Sequence, residues 1–171
     1  MIAAIRDARA RDFARITEIY ADQVRHGFGS FEEVPPSHDE MLERFGRVVD
    51  AGLPYLVAAD GATVLGYAYA SAYRPRSAYR FTVEDSIYVA PEVQRRGIGA
   101  ALLSTLATRC TAAGMRQLVA VIGDSGNSSS VAVHLKCGFR HVGVLRDVGF
   151  KQRRWLDTVI MQRELGGDAG R

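Results

Sequence analysis

The sequence predicts a mixed α/β domain: an open, mixed sheet with helices on both faces. Three observations predict it. Asp60-Gly61 lies between two apolar runs, 55–59 and 63–69, which is the signal of a tight hairpin. The alternating run Ile87-Tyr88-Val89 passes through a short turn and two glycines, Gly97 and Gly99, into an apolar-periodic helix. Helix-period stripes come before these elements and further strand-like runs come after them.

Taken in order, 2–6 reads as a first strand and 11–25 as a helix, with Phe13, Ile16, Tyr20 and Val24 on one face. A loop rich in Gly and Pro covers 26–36. Ser37-His38-Asp39-Glu40 is a capping box that opens a second helix, which runs to about residue 50 and is stopped by Gly52. After the hairpin, 81–89 reads as the strand that leads into the glycines. Its helix covers 99–113 and ends at Gly114. A strand at 117–122, a helix at 128–136 closed by Gly138, and two last strands at 139–145 and 158–162 complete the chain. The expected organisation is one domain over 1–165, with a disordered tail over 166–171.

Composition narrows the function. A chain of 171 residues with 47% hydrophobic and 24% charged residues suits one soluble domain with a sizeable core. The net charge of +3 is mildly basic. The basic residues are scattered, with no stacking platform among them, so no nucleic-acid partner is expected. The N-terminus has no signal-peptide core, and no apolar run is long enough to span a bilayer, so no membrane partner is expected. Cys110 and Cys137 have no metal-ligand spacing. No metal is expected, and two free thiols fit a cytoplasmic setting.

The segment with the most chemical content is Gln94-Arg95-Arg96-Gly97-Ile98-Gly99-Ala100. A strand, a glycine turn and a helix N-terminus together make an anion site, because backbone N–H groups and the helix dipole point at the ligand. Glycines let the ligand approach the main chain, and Arg95 and Arg96 add charge. A phosphate or pyrophosphate is the expected ligand. A P-loop would need Gly-Lys-Ser/Thr, which is absent. A dinucleotide fingerprint would need a third glycine where Leu102 stands. The pattern Gln/Arg-x-x-Gly-x-Gly/Ala is matched at every fixed position.

That pattern resembles the acetyl-CoA pyrophosphate loop of the GNAT superfamily of N-acetyltransferases. A second motif follows in the right order: Gly123-Asp124-Ser125-Gly126-Asn127-Ser128-Ser129-Ser130, then a helix ending in Gly138-Phe139. The resemblance implies the GNAT fold, with a mostly antiparallel twisted sheet and acetyl-CoA as cosubstrate. It assigns the cofactor to Tyr88, Val89, Gln94, Arg95, Arg96, Gly97, Ile98, Gly99, Ala100, Asn127 and Ser130. His134 stands where many members carry a tyrosine that can protonate the departing thiolate. Residue by residue, Asn127 could instead be only an N-cap, and His134 only a buried histidine.

A narrower resemblance covers nearly the whole chain. Tyr73-Arg74-Pro75 through Thr82-Val83-Glu84 to Val89 is similar to the phosphinothricin and methionine sulfoximine/sulfone acetyltransferases, as is the end, Val148-Gly149-Phe150-Lys151 through Arg154-Trp155-Leu156-Asp157. Arg76, Ser77 and the loop at 29–32 depart from that family. The resemblance implies transfer of acetyl to the α-amino group of a small amino acid, and a homodimer.

An alkylammonium is not a nucleophile, so a base must take its proton. Glu84 lies among apolar neighbours, where desolvation raises a carboxylate's pKa, and the family gives the same residue that role. Asp85 is expected on the opposite face of the sheet. The superfamily resemblance implies that backbone N–H groups near Val89 stabilise the oxyanion of the tetrahedral intermediate. Arg74 and Arg80 bracket the strand and suit recognition of a substrate carboxylate, or else are plain surface arginines. Phe31 is expected to cover the substrate, or else to serve as a core staple. Acetyl transfer to a protein N-terminus, polyamine or aminoglycoside, and a non-catalytic CoA-binding regulator, are the alternative functions.

Overall fold

The computed structural model describes residues 3–166. They carry seven strands in one sheet and four α-helices. The strands are β1 (Ala4–Asp7), β2 (Tyr55–Asp60), β3 (Thr63–Ala72), β4 (Thr82–Val89), β5 (Gln117–Gly123), β6 (Arg140–Lys151) and β7 (Arg154–Glu164). The helices are α1 (Phe13–His26), α2 (His38–Asp50), α3 (Ile98–Ala112) and α4 (Ser128–Lys136). The sheet order is β1-β2-β3-β4-β5-β7-β6. Every pairing is antiparallel except β4 with β5.

Side-chain alternation gives the sheet two working faces. On one face Tyr55, Tyr67 and Tyr69 stack, with centroids 5.9 Å apart for Tyr55–Tyr67 and 4.9 Å for Tyr55–Tyr69. Phe13 of α1 and Phe45 of α2 pack against Tyr55, so α1 and α2 cover this face. On the other face Gly66 lies under Leu102 of α3, and Leu102, Leu103 and Leu106 are fully buried.

The expected hairpin forms around Gly61, which takes a left-handed φ of 58°. The Ser37 hydroxyl accepts from the Glu40 N–H at 3.2 Å, the cap that starts α2. The first helix begins later than its periodicity suggested. Ala10–Asp12 form a 3-10 turn, because the Asp12 carboxylate accepts from the Arg9 N–H and from Arg6 before α1 can start. Both last strands run longer than expected, to 140–151 and 154–164. Polar Arg146, Asp147 and Asp157 interrupt the apolar pattern there. In the structure they form a bulge within the pairing: Asp157 accepts from the Arg146 guanidinium, the Asp147 N–H and the Ser125 hydroxyl. Ile2 of the expected first strand, and 167–171 of the expected tail, lie outside the described residues.

Candidate active site

The site exists because β4 and β5 stop pairing halfway along. Their register runs from Thr82–Gln117 to Asp85–Ala120 and ends there, while β5 goes on pairing with β7 as far as Gly123. Beyond Asp85 the two parallel strands separate. Tyr73 N donates to Thr82 O and Ala90 N donates to Leu65 O, so the even-numbered residues of β4 face β3. Alternation then turns the N–H groups of Ile87 and Val89 into the gap.

Two cavities meet at this gap. The larger, about 540 Å³, reaches from Tyr20 and Phe31 past Glu84 to Gly123 and Asn127. The smaller, about 260 Å³, follows the start of α3. Ile87, Val89, Gln94, Ser130 and His134 line both, so the two form one continuous groove.

The smaller cavity opens at a helix N-terminus of the kind that can receive an anion. Gly97 caps α3 with a left-handed φ of 80°, and a Cβ there would meet open space. Arg95 is also left-handed, at φ 63°, a conformation that non-glycine residues seldom adopt. The loop therefore presents backbone and helix dipole to an anion. Gln94, Arg95, Gly97, Ile98, Gly99, Ala100 and Ser130 all line this end. Arg96 is exposed beside it and lines neither cavity.

Asn127 belongs to both readings of it. Its side-chain oxygen accepts from the Ser130 N–H at 3.3 Å, so it is the N-cap of α4, and it also lines the larger cavity. The side chain of Tyr88 lies on the acceptor side instead, edge-on to Tyr20 at 5.0 Å.

Glu84 is half-buried in the larger cavity, on the tyrosine face. Burial pushes its pKa up, the charge of neighbouring Asp85 pushes it further, and Arg74 opposes both. Arg74 therefore acts on Glu84, although its guanidinium rests over the Tyr73 ring and it lines neither cavity. Arg80 turns away, over the Phe81 ring and onto the Ser77 carbonyl at 3.2 Å. Phe31 is 40% exposed and lines the cavity, so it is a wall of the site, not a core residue.

Asp85 does face the other side, and there it meets His134. The Asp85 carboxylate lies 2.9 Å from His134 Nε2, and His134 Nδ1 donates to the Ser130 carbonyl at 2.7 Å. The histidine is 2% exposed. Burial alone would lower its pKa, but the hydrogen bond and charge of Asp85, with the Ser130 carbonyl, outweigh burial and raise it.

Two more residues, Lys151 and Glu32, shape the larger cavity, and sequence reasoning gave neither of them a role. Lys151 is 2% exposed and donates to the carbonyls of Gly27 at 2.9 Å and Ser30 at 2.7 Å, pinning the loop that carries Phe31. Glu32 accepts from Tyr20 and Arg44, fixing the other end of that loop. Contacts between residues 121 positions apart leave no local signal.

Among the described residues, no group of three or more His, Cys, Asp or Glu side chains could hold a metal, and no helix is long and apolar enough to cross a membrane.

Comparison with known proteins agrees with this geometry. The chain is 56% identical to a phosphinothricin N-acetyltransferase of Alcaligenes faecalis over 161 residues, which is 94% of this chain and 82% of that protein. It is 39% identical to an L-methionine sulfoximine/L-methionine sulfone acetyltransferase of Pseudomonas aeruginosa, covering 96% of each chain. The crystal structure of a phosphinothricin acetyltransferase from Sinorhizobium meliloti in complex with AcCoA superposes with a TM-score of 0.94 at 53% identity, over 97% of this chain and 90% of that one. The Acetyltransferase (GNAT) family pattern matches residues 13–139, and the chain belongs to that family.

Proposed function

We propose that this N-acetyltransferase transfers the acetyl group of acetyl-CoA to the α-amino group of a small amino acid of the phosphinothricin, methionine sulfoximine or methionine sulfone type. One observation carries the reading. A half-buried carboxylate of raised pKa, Glu84, stands beside the point where β4 and β5 separate, at the far end of a groove that begins at the α3 N-terminus. The kinship to the phosphinothricin and methionine sulfoximine enzymes supports the substrate class.

Acetyl-CoA supplies an activated acyl group, and the chain supplies placement and proton transfer. Arg95, Gly97 and the first turn of α3 hold the pyrophosphate. The N–H groups of Ile87 and Val89 face the gap and offset the negative charge that grows on an acyl oxygen. Glu84 takes the proton from the substrate ammonium, its raised pKa bringing it closer to the working pH. His134 serves the departing thiolate. Arg74 meets the substrate carboxylate, and Phe31 closes over the side chain. Arg80, turned onto Phe81, has the weaker geometric support for the same task.

The protein acts in the cytoplasm, where the buried thiols of Cys110 and Cys137 stay reduced. It pairs with a second copy. Leu145, Val148, Phe150 and Trp155 of the β6–β7 hairpin are each more than half exposed, an apolar surface at a sheet edge.

Thiol release from acetyl-CoA tests the reading. Phosphinothricin, methionine sulfoximine and methionine sulfone are compared with spermidine and with a peptide bearing an N-terminal alanine. Fast release with the first three alone is expected. Faster release with spermidine or the peptide overturns the substrate class.

A further inference from the structure

The pairing of Asp85 with His134 has a consequence for the leaving-group side of the site. Nδ1 of His134 faces a carbonyl oxygen, which can only accept, so Nδ1 must carry a proton. Nε2 faces a carboxylate oxygen at 2.9 Å. A proton must lie between these two atoms as well, because neither a bare nitrogen nor a bare carboxylate oxygen can donate. With Asp85 ionised, both ring nitrogens are protonated and the imidazole is a cation. Both side chains are 2% exposed, so solvent does little to screen this charge. His134 also lines both cavities, at their junction.

We propose that Asp85 is a positioning residue for acetyl transfer: it holds His134 as a doubly protonated cation at the junction of the two cavities, facing the sulfur that leaves. This rests on the acetyl-transfer reading above. The cation lowers the cost of expelling a thiolate by offsetting its charge. The second Asp85 oxygen, Oδ1, is buried and has no hydrogen-bond partner among the described residues. An aspartate placed for stability alone would gain from satisfying both oxygens. Here one oxygen is committed to the imidazole, and no protein group among the described residues engages the other.

Few other ionisable groups bear on the pair. From α3 comes Cys110, whose thiol is pushed up to about 12 by burial first and then by Asp85, so it stays neutral. On β4 there is Glu84, on the opposite face. On α4 itself there is Lys136, at the outer end of the smaller cavity, and at the end of the helix Arg163 of β7 donates to the Cys137 carbonyl. β5 carries no ionisable side chain, and Arg140 and His141 of β6 are exposed. Between α4 and β6 the Phe139 ring stands edge-on to His134 at 4.9 Å.

Asp85→Asn tests this. The amide can donate to Nε2, which leaves a neutral imidazole in the same place and spares the packing. Nitrogen NMR of the His134 ring is the first readout and does not depend on activity. At about pH 7.5, a unit above the ordinary imidazole value, the unmodified enzyme should show two protonated nitrogens, and Asp85→Asn one. In thiol-release kinetics, kcat of the variant should fall roughly tenfold, about 1.4 kcal/mol, with KM for acetyl-CoA nearly unchanged. The alkaline limb of its pH profile should move to lower pH.

A neutral His134 ring in the unmodified enzyme at that pH overturns the proposal, and this holds even if the variant fails to fold. Unchanged kcat and pH profile in a folded variant overturn it too. A cationic ring in a protein that releases no thiol with any of the amines would leave the proton assignment standing and refute the acetyl-transfer reading instead.

Discussion

The Phe31 ring occupies the space where a side chain on Gly149 would stand. A Cβ at Gly149 would overlap ring atom Cε2, and one at Gly123 would come within 2.8 Å of Cε1 and overlap the Phe28 carbonyl oxygen. Strands β5 and β6 thus meet the loop over the site through bare backbone. Gly149→Ala should push the ring from its slot. Overpacking of this kind costs about 1–3 kcal/mol. The expected outcome is a KM for the amino acid raised by roughly tenfold or more, with acetyl-CoA affinity unchanged. Steady-state kinetics with each substrate varied in turn checks it.

Glu84→Gln should lower kcat by about 10²-fold or more, the scale of losing a general base. The pH dependence has a definite sign. Folding raises the Glu84 pKa above its ordinary value, through burial first and then the charge of Asp85, so activity falls as pH drops through that raised value. For stability, the raised pKa contributes at low pH and the contribution is lost as pH rises through the folded value. At neutral pH the glutamine variant should therefore melt no lower than the parent, and calorimetry on the acid and the alkaline side of the acid limb of the activity profile reads the difference. A large fall in melting temperature with unchanged turnover would give Glu84 a structural role instead.

Arg74 and Arg80 should separate cleanly. Arg74 holds the Glu84 pKa down, so Arg74→Ala should move the acid limb of the profile to higher pH and raise KM for amino acids more than for amines without a carboxylate. Arg80 rests on Phe81 and Ser77, so Arg80→Ala should leave the acid limb in place. Paired pH profiles of the two variants check both statements.

Lys151→Met should release the loop over the site. It leaves the carbonyls of Gly27 and Ser30 without their buried donor, a loss of about 1–3 kcal/mol for each group left unpaired. Limited proteolysis should cut within residues 27–32 faster than in the parent, and KM for the amino acid should rise. A cleavage pattern identical to the parent's would show that Glu32 and Arg44 hold the loop without help.

Much of this architecture was legible because its signals are local. Asp60-Gly61 gave the hairpin, Ser37 with Glu40 gave the start of α2, and residues 128–136 were read as a helix with the bounds α4 shows. The glycine loop was legible for the same reason, since a strand, a turn and a helix N-terminus are neighbours in sequence. The bulge at Arg146 and Asp147 was hidden, because its polar residues satisfy one another through Asp157 instead of continuing an apolar alternation. Asp85 was placed on the correct face by alternation, but nothing local shows that its partner lies 49 positions away on α4. Arg80 illustrates the opposite limit. A charged residue in a suggestive place can spend its charge on the nearest aromatic ring.

The early parting of β4 from β5 reaches beyond the site. The two strands are joined through four paired positions, Thr82–Gln117 to Asp85–Ala120, and this short seam is the sheet's connection between strands β1–β4 and strands β5–β7. Backbone pairing thus joins the two parts of the sheet at one end only, and a single core cluster running from Leu56 to Met161 packs beneath both. A molecule lying along the open part of the seam touches both parts of the sheet, and its binding stabilises the folded state by about 2.7 kcal/mol when it is present at a hundred times its Kd. A ligand seated there bridges the one line of the sheet that backbone pairing leaves open.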